Sequence, residues 1–294
     1  MVRLKNKRCA VIPALLAAAL LLPSCGKPEA SADADAMLAG AAFEEQMDAD
    51  EPADLPEEED VVVLEPAVPA AGVGRIMPVV VEQREELICI DPGHGFVDPG
   101  TGSDSYFPEG IYERDITIEV SRLLEDALKA RGFRTILTHD GETMPEGADL
   151  NWDGVFSAPY ERPPYINNVI GPDYLVSLHV NAVGNPEKCG AMVFFDQNYY
   201  KNNDWSETVA ADIRDAIEEG VETTAVTQLV DSKDMEDASF AINRETKCAS
   251  SLIEMGFCTN ETDAEKLQDP AWQKQMAEAI AEGIEKFFDD LKNA

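Results

Sequence analysis

The architecture of this chain can be worked out from the stretch Leu87–Gly100, LICIDPGHGFVDPG. It begins as a short apolar run, which is the pattern of a buried strand, and it breaks into Asp, Pro and Gly around His94. The Asp-Pro pair stops the strand, and the glycines on either side of His94 allow a tight turn. The stretch therefore predicts a strand that carries an imidazole into a sharp loop at its carboxyl end.

Short apolar runs alternate with helical patterns over the rest of the chain. Strands are predicted at LICI, RTILT, PDYLVSL, GAMVFF and SSLIE, and helices at RDITIEVSRLLEDALKARG, SETVAADIRDAIEEG and WQKQMAEAIAEGIEKFFDDL. The first helix ends at Gly132 and has an apolar stripe made by Ile116, Val120, Leu123, Leu124, Ala127 and Leu128. The alternation predicts a single α/β domain, residues 87–294, with a mostly parallel or mixed central sheet flanked by helices on both faces.

Polar side chains follow three of the predicted strands. His94 follows the first strand, His179 follows DYLVSL, and Glu254 follows SSLI. Because open α/β sheets bind ligands at the carboxyl ends of their strands, we expect these side chains at one edge of the sheet. One histidine at a strand end is most often a satisfied polar residue, but two imidazoles with a carboxylate indicate a metal site.

Five sequence blocks occur in a fixed order: IDPGHG followed by DPG, ERDITI, LVSLHVNA, FAINR and LIEMGFCTN. On these blocks, from Leu87 to about Leu291, the chain resembles the zinc-dependent N-acetylmuramoyl-L-alanine amidases of the amidase 3 family. The resemblance implies a zinc-hydrolase-like fold and one zinc ion. It also implies hydrolysis of the amide between N-acetylmuramic acid and L-alanine in peptidoglycan, for cell wall remodelling or daughter-cell separation.

Carried over to this sequence, the resemblance implies that His94, Glu113 and His179 hold the zinc ion. Imidazole nitrogen and carboxylate oxygen are accepted ligands of catalytic zinc, which keeps one coordination position open. Glu109 is a second carboxylate in the same segment, but it lies farther from the helix and we expect it at the surface. The resemblance makes Glu254 the general base that takes a proton from the attacking water and delivers one to the leaving amine.

Arg244, in FAINR, is predicted to orient Glu254 or to stabilise the oxyanion, and a structural ion pair with Glu254 does not exclude either role. Asp91 is expected either to orient a metal ligand or to cap its loop. Further expectations concern supporting side chains: Ser177 and Asn181 as hydrogen-bond partners of the metal loop, Asn260 as a cap, and His139 as a loop residue.

Two other functions were weighed against hydrolysis of peptidoglycan. The first is a catalytically silent peptidoglycan-binding regulator, and the second is a zinc peptidase that acts on another amide. The complete set of two histidines and two glutamates argues against the silent regulator, because a binding module does not need a polarised water.

Residues 1–25 have the layout of an export signal. A basic start, MVRLKNKR, leads into AVIPALLAAALLL and then LPSC, which resembles a bacterial lipoprotein signal with Cys25 as the lipidated residue. An ordinary cleaved signal with an incidental cysteine is the alternative. We expect a lipid-anchored protein of the cell envelope, on the periplasmic face of the outer membrane in a host that has one, because Gly26 follows the cysteine.

Residues 26–86 are predicted to be a disordered acidic tether, because the negative charges in runs such as EEQMDADEPADLPEEED repel one another and these runs contain few aromatic residues.

Over the whole chain, 57 acidic and 23 basic residues give a net charge of −34, which argues against nucleic acid as a partner. The predicted partners are peptidoglycan and, through the lipid, a membrane. A protein activator is left open, since the region from Gln197 to Ser239 is not obviously long enough for an inhibitory plug.

Cysteine pairing and a possible calcium turn are the remaining questions. The cysteines of the predicted domain are Cys89, Cys189, Cys248 and Cys258. They could form up to two disulfides in an exported protein, or Cys89 and Cys248 could be buried thiols.

DLNWDG, Asp149–Gly154, resembles the first half of an EF-hand loop, but position twelve falls on Tyr160, which favours a polar turn over a calcium site.

Overall fold

The structure is a computed structural model that describes residues 81–102, 105–148, 156, 161–196, 205–232 and 240–294. The predicted signal 1–25, residues 26–80 of the predicted tether and the turn Asp149–Gly154 lie outside the described residues. Among the helices that are described, none combines the length and the apolar character needed to cross a membrane.

A six-stranded mixed sheet forms the centre of the domain. Its strands are β1 Leu87–Pro92, β2 Arg134–Leu137, β3 Tyr174–Asn181, β4 Met192–Phe195, β5 Gln228–Asp231 and β6 Ala249–Phe257. They lie in the order β2-β1-β3-β6-β4-β5, and the β4–β6 pair is antiparallel while the other four pairs are parallel. The prediction of a mixed α/β sheet is confirmed.

Helices cover both faces of this sheet, as the sequence predicted. They are α1 Glu113–Ala130, α2 Arg162–Tyr165, α3 Ser206–Gly220, α4 Ala241–Glu245, α5 Glu261–Leu267 and α6 Pro270–Asn293, and α2 continues into a π-helical turn, Ile166–Ile170. The long helices α1, α3 and α6 pack into the larger apolar cluster on one face. The π-helical turn and α4 contribute Ile166 and Ile242 to a smaller cluster on the other face.

Strand alternation assigns the polar strand-end residues to one face. In β1, Ile88 and Ile90 face the larger cluster while Cys89 faces the smaller one. Leu175 of β3 and Leu252 of β6 also belong to the smaller cluster. Because side chains two or four positions apart point to the same face, Asp91, His179 and Glu254 all lie on the face of the smaller cluster.

The folded domain begins earlier than the predicted boundary at residue 87. The Arg84 amide donates to the carbonyl of Gly132 at 2.8 Å, and its guanidinium lies 4.4 Å from the ring centre of Phe133. Arg84 also forms ion pairs with Glu285 and Asp289 of α6. The acidic residues around Arg84 suggested a solvated tether, but this arginine is held by partners that are distant in sequence.

The short elements were missed, and the state of the cysteines was left open by the sequence. The elements β5, α2, α4 and α5 were not predicted, because segments of four to seven residues carry too little periodicity to recognise. The free cysteines Cys89, Cys248 and Cys258 are buried. Burial raises the pKa of each of these thiols, so they are inert. Of the two alternatives for Cys89 and Cys248, the structure shows buried thiols.

Candidate metal centre

The loop after β1 places His94 in a backbone conformation that side chains rarely adopt. His94 has a φ of 65° and Phe96 a φ of 54°, both in the left-handed region, with Gly95 at 110° between them. Gly93 leaves room for the second imidazole, because a Cβ there would lie 2.6 Å from the ring of His179. The predicted sharp loop therefore exists, and it brings the two histidines together.

The three residues predicted as metal ligands converge on one point. Glu113 Oε2 lies 3.1 Å from His94 Nε2, and Glu113 Oε1 lies 3.0 Å from His179 Nδ1. One ligand atom from each residue lies within 4.8 Å of the others. The imidazole rings are 5.1 Å apart at 80°. Residues from β1, α1 and β3 thus form a group with the composition and the size of a zinc site.

Glu113 is held as a buried carboxylate at the first position of α1, with 2% of its surface exposed. Its Oε1 accepts from the amide of Val180 at 2.8 Å, and its Oε2 accepts from the amide and the hydroxyl of Thr101 at 2.9 and 3.1 Å. Burial alone would raise the pKa of Glu113, but the hydrogen bonds and charges of His179 and His94 hold it well below its usual range. A permanently ionised carboxylate results, which suits a cation.

Glu254 lies beside this group on the neighbouring strand. It is the register partner of His179 across the parallel β3–β6 pair, and it is 7% exposed. Its Oε2 has no hydrogen-bond partner among the described residues. Burial raises the pKa of Glu254 well above its usual value, the charge of Glu113 raises it further, and His94 opposes the shift. A buried carboxylate with one unsatisfied oxygen, on the strand beside His179, fits a proton acceptor better than a structural residue.

Comparison with known proteins identifies the family. The model of the amidase 3 family, described as N-acetylmuramoyl-L-alanine amidase, matches residues 88–286. The chain belongs to the amidase 3 family.

Relatives and solved structures agree with this assignment. The germination-specific N-acetylmuramoyl-L-alanine amidase of Bacillus subtilis is 28% identical over 205 residues, which cover 69% of this chain and 80% of the relative. The amidase AmiC2 of Nostoc punctiforme is 25% identical with a TM-score of 0.54, covering 70% of this chain and 99% of the other. The CwlD amidase of Clostridioides difficile, solved in complex with the GerS lipoprotein, has the same fold, with 23% identity, a TM-score of 0.57 and coverage of 70% and 100%.

Asp98 supports the first histidine of the amidase domain and was missed in the sequence. Its Oδ2 lies 2.8 Å from His94 Nδ1 and accepts the Nδ1 proton. The carboxylate thereby fixes the ring and leaves Nε2 facing Glu113. Burial opposes protonation of His94, but Asp98 and Glu113 outweigh it and raise its pKa to about 9. The signal was a carboxylate four residues after the histidine, within the DPG block.

Arg244 lies on α4, where its Nε donates to Glu245 Oε1 at 2.8 Å and its side chain is 32% exposed. Its charge is not among the causes of the shifted pKa of Glu254, which come from burial, Glu113 and His94. The ion pair between Arg244 and Glu254 that was weighed from the sequence is therefore not formed among the described contacts.

The predictions for supporting residues have mixed outcomes. Ser177 donates to Asp91 Oδ2 at 2.8 Å and so supports the start of the loop that carries His94. Asn181 instead donates to Met192 Sδ at 3.9 Å. Asn260 caps α5 by accepting from the amide of Asp263 at 3.1 Å, as predicted. Glu109 is exposed, also as predicted.

His139 lies in the loop after β2, as predicted, and it is buried there against the loop that carries His94. Its Nδ1 accepts from the amide of Gly141 at 3.1 Å, so Nε2 carries the proton and donates to the carbonyl of Pro92 at 2.9 Å. Only 3% of His139 is exposed, which excludes contact with substrate. Burial and the charge of Arg162 lower the pKa of His139 to about 4.

We expect His139 to make the domain sensitive to mild acid. The pKa is lower in the folded protein, about 4 against 6.5, so the unfolded chain binds the proton more readily. The stabilisation is fully present above pH 6.5 and is lost as the pH falls toward 4. Between pH 7 and pH 5 the free energy of unfolding should fall by about 2 kcal/mol more in the parent than in His139→Gln. Urea unfolding of both metal-free proteins measures this difference, and equal pH dependence would contradict it.

A cleft of about 220 Å³ opens beside the two histidines. Its lining combines polar groups from the strand ends with apolar groups from α4 and the loop before α2: Asp91, His94, Asp98, His179, Arg162, Phe156, Phe240, Ala241, Ile242 and Leu252. His94 and His179 keep 26% and 20% of their side-chain surface exposed. The candidate metal group therefore faces a cavity that a substrate can reach.

Proposed function

We propose that this domain hydrolyses the amide between N-acetylmuramic acid and L-alanine in peptidoglycan with one zinc ion held by His94, Glu113 and His179. The family assignment supports the reaction. The single observation that carries the zinc site is the convergence of three ligand atoms within 4.8 Å of one another, although the residues are far apart in the sequence.

The residues present fit a zinc ion. Two imidazoles and one carboxylate are a ligand set that zinc hydrolases use. Ligands bound at about 2.0–2.2 Å in a tetrahedron lie about 3.3–3.6 Å apart. One ligand atom from each residue lies within 4.8 Å of the others, so small shifts of the side chains admit the ion. Asp98 behind His94 completes the carboxylate–histidine arrangement that is common around zinc.

The residues around the ion would divide the reaction between them. Zinc, when bound, lowers the pKa of water and polarises the scissile carbonyl. Glu254 accepts the proton of the attacking water and delivers it to the nitrogen of L-alanine, so that the amine leaves neutral. Burial raises the pKa of Glu254, which makes its carboxylate a stronger proton acceptor for this transfer. Arg244, on α4, forms no ion pair with Glu254 among the described contacts, so of its two predicted roles we keep stabilisation of the oxyanion.

The place of the reaction follows from the substrate. Peptidoglycan lies outside the cytoplasmic membrane, so we infer that the protein is exported. The lipoprotein-type signal supports an anchor on Cys25, and the acidic segment 26–80 supports a tether that lets the domain reach into the wall. We infer the periplasmic face of the outer membrane for a host that has one.

Purified peptidoglycan tests this proposal. We expect the zinc-loaded protein to release amino termini of L-alanine while the glycan strands stay intact. A chelator should abolish the release and added zinc should restore it. Glu109→Gln is the matched control, because this exposed carboxylate lies in the same segment as Glu113.

The other functions give different products. New amino termini other than L-alanine would indicate a peptidase acting on another amide. Binding to peptidoglycan with no release at any zinc concentration would indicate a silent regulator. Either result contradicts the proposal.

A further inference from the structure

We propose that Arg162 is a positioning residue that fixes the main chain of His94, so that the imidazole faces Glu113 and His179 before the metal arrives. This inference rests on the proposed function, because it concerns the same zinc site. Arg162 is the first residue of α2 and comes from a part of the chain that the sequence blocks do not include.

The loop that carries His94 needs such a restraint. His94 and Phe96 both have positive φ values, 65° and 54°, and each costs about 1–2 kcal/mol for a residue with a side chain. A free loop would leave this conformation and turn the imidazole away from the ligand group. The surrounding structure must therefore hold it.

Arg162 donates hydrogen bonds to main-chain carbonyls where the loop leaves β1. Its Nη2 donates to the carbonyl of His94, and its Nη1 donates to the carbonyl of Pro92 at 2.6 Å. The same Nη1 lies 3.0 Å from Asp91 Oδ1. One rigid guanidinium thus spans residues on both sides of Gly93, where the chain leaves β1 and turns.

The other side of the guanidinium is fixed as well. Arg162 Nε donates to the carbonyl of Phe156 at 2.6 Å, and its Cζ lies 5.3 Å from the ring centre of Phe156. Only 5% of Arg162 is exposed. The side chain therefore cannot swing into solvent, and the position of the carbonyls is set by the position of the arginine.

The buried charge of Arg162 is balanced by Asp91. This carboxylate also accepts from Thr138 Oγ1 at 2.6 Å and from Ser177 Oγ at 2.8 Å. Burial alone would raise the pKa of Asp91, but Arg162 and these hydrogen bonds keep it low, so the pair is ionised. Asp91 was expected to orient a ligand or cap the loop, and the contacts indicate that it acts through Arg162.

A lysine at this position would keep the positive charge but lose the planar set of guanidinium N–H donors. Its single ammonium cannot reach the carbonyls of Pro92 and His94 and the carboxylate of Asp91 in the same geometry. The loop would then sample other conformations, and zinc binding would have to reorder it. Changes around a metal ligand of this kind typically cost 10-fold to 100-fold in metal affinity.

The experiment compares zinc affinity and turnover in Arg162→Lys. We expect zinc affinity, measured on metal-free protein by competition with a chelating dye, to fall by about 10–100-fold. At saturating zinc, kcat should fall by a larger factor than KM rises, because Arg162 lines the cleft with only 5% of its surface exposed, whereas its loss changes the ligand geometry. Arg122→Lys is the control, since Arg122 donates to a single carbonyl, that of Asp140, at an exposed site.

A second variant keeps the test decisive if Arg162→Lys does not fold. The double change Arg162→Gln with Asp91→Asn removes both buried charges together and avoids an unpaired carboxylate. It should fold, and its zinc affinity should fall as in the lysine variant.

A lower melting temperature with zinc affinity and kcat equal to the parent would overturn the proposal and leave Arg162 a structural residue. The zinc measurement does not depend on turnover. It therefore remains informative if the parent protein fails to hydrolyse peptidoglycan, and the two proposals can fail separately.

Discussion

Glu254→Gln is expected to lower kcat on peptidoglycan by about 10²–10⁴-fold while the protein still binds one zinc ion. Glutamine has nearly the same shape as glutamate but cannot accept a proton at neutral pH. The measurement is the rate of release of L-alanine amino termini, together with the zinc content of the same sample.

The structure indicates why this change should act on chemistry and not on folding. Glu254 is the register partner of His179, so its side chain lies beside the metal group on the same face of the sheet. Its Oε2 accepts no hydrogen bond among the described residues, and the amide of glutamine therefore breaks no existing contact there. Burial has also raised the pKa of this carboxyl, which is costly for stability and useful for catalysis.

Glu265→Gln is the matched control for this experiment. Glu265 is an exposed residue of α5 in the segment after β6, and its replacement should leave both kcat and zinc content unchanged. Nearly full activity of Glu254→Gln at normal zinc content would show that the base has been wrongly assigned. A parallel loss of zinc would instead make Glu254 a metal ligand.

Glu113→Gln is expected to lower zinc affinity by more than about 100-fold, which exceeds the usual effect of residues that only support a ligand. Activity at equimolar zinc should fall to background. The change replaces a charged ligand by a neutral one, and it does so at the point where His94 and His179 meet.

The hydrogen bonds around Glu113 make this effect larger. Both carboxylate oxygens accept from the main chain, Oε1 from Val180 and Oε2 from Thr101. The NH₂ group of glutamine would face one of these N–H donors, and two donors cannot satisfy each other. Zinc titration followed by calorimetry measures the loss. Unchanged affinity, equal to that of Glu109→Gln, would remove Glu113 from the ligand set.

The sequence predicted the parts of the site that lie on regular elements. The apolar runs located β1, β3 and β6. His94 lies two residues after β1, and His179 and Glu254 lie within the carboxyl-terminal parts of β3 and β6. The parallel order β1-β3-β6 then brings their carboxyl ends side by side. The sequence thus predicted that these side chains meet at one edge of the sheet, while the packed clusters of the structure showed that His179 and Glu254 share a face.

The residues that hold the site were missed because their partners are distant in sequence. Arg162 follows a segment without periodicity, and nothing in its neighbours indicates that it lies beneath His94, 68 positions earlier. Arg84 was misjudged for the same reason, since the local composition suggested a solvated tether, and the burial of His139 could not be predicted because its partner, the carbonyl of Pro92, is distant in sequence.

By itself, the sequence determined the α/β class, the strand ends that carry the chemistry and the family of the domain. Only the tertiary structure decided the contacts of Asp98 and Arg162 with His94, the burial of His139 and the start of the folded domain before residue 87. The physical reason is that periodicity records which face of an element is apolar. A hydrogen bond or an ion pair depends on which atoms meet after the chain has folded.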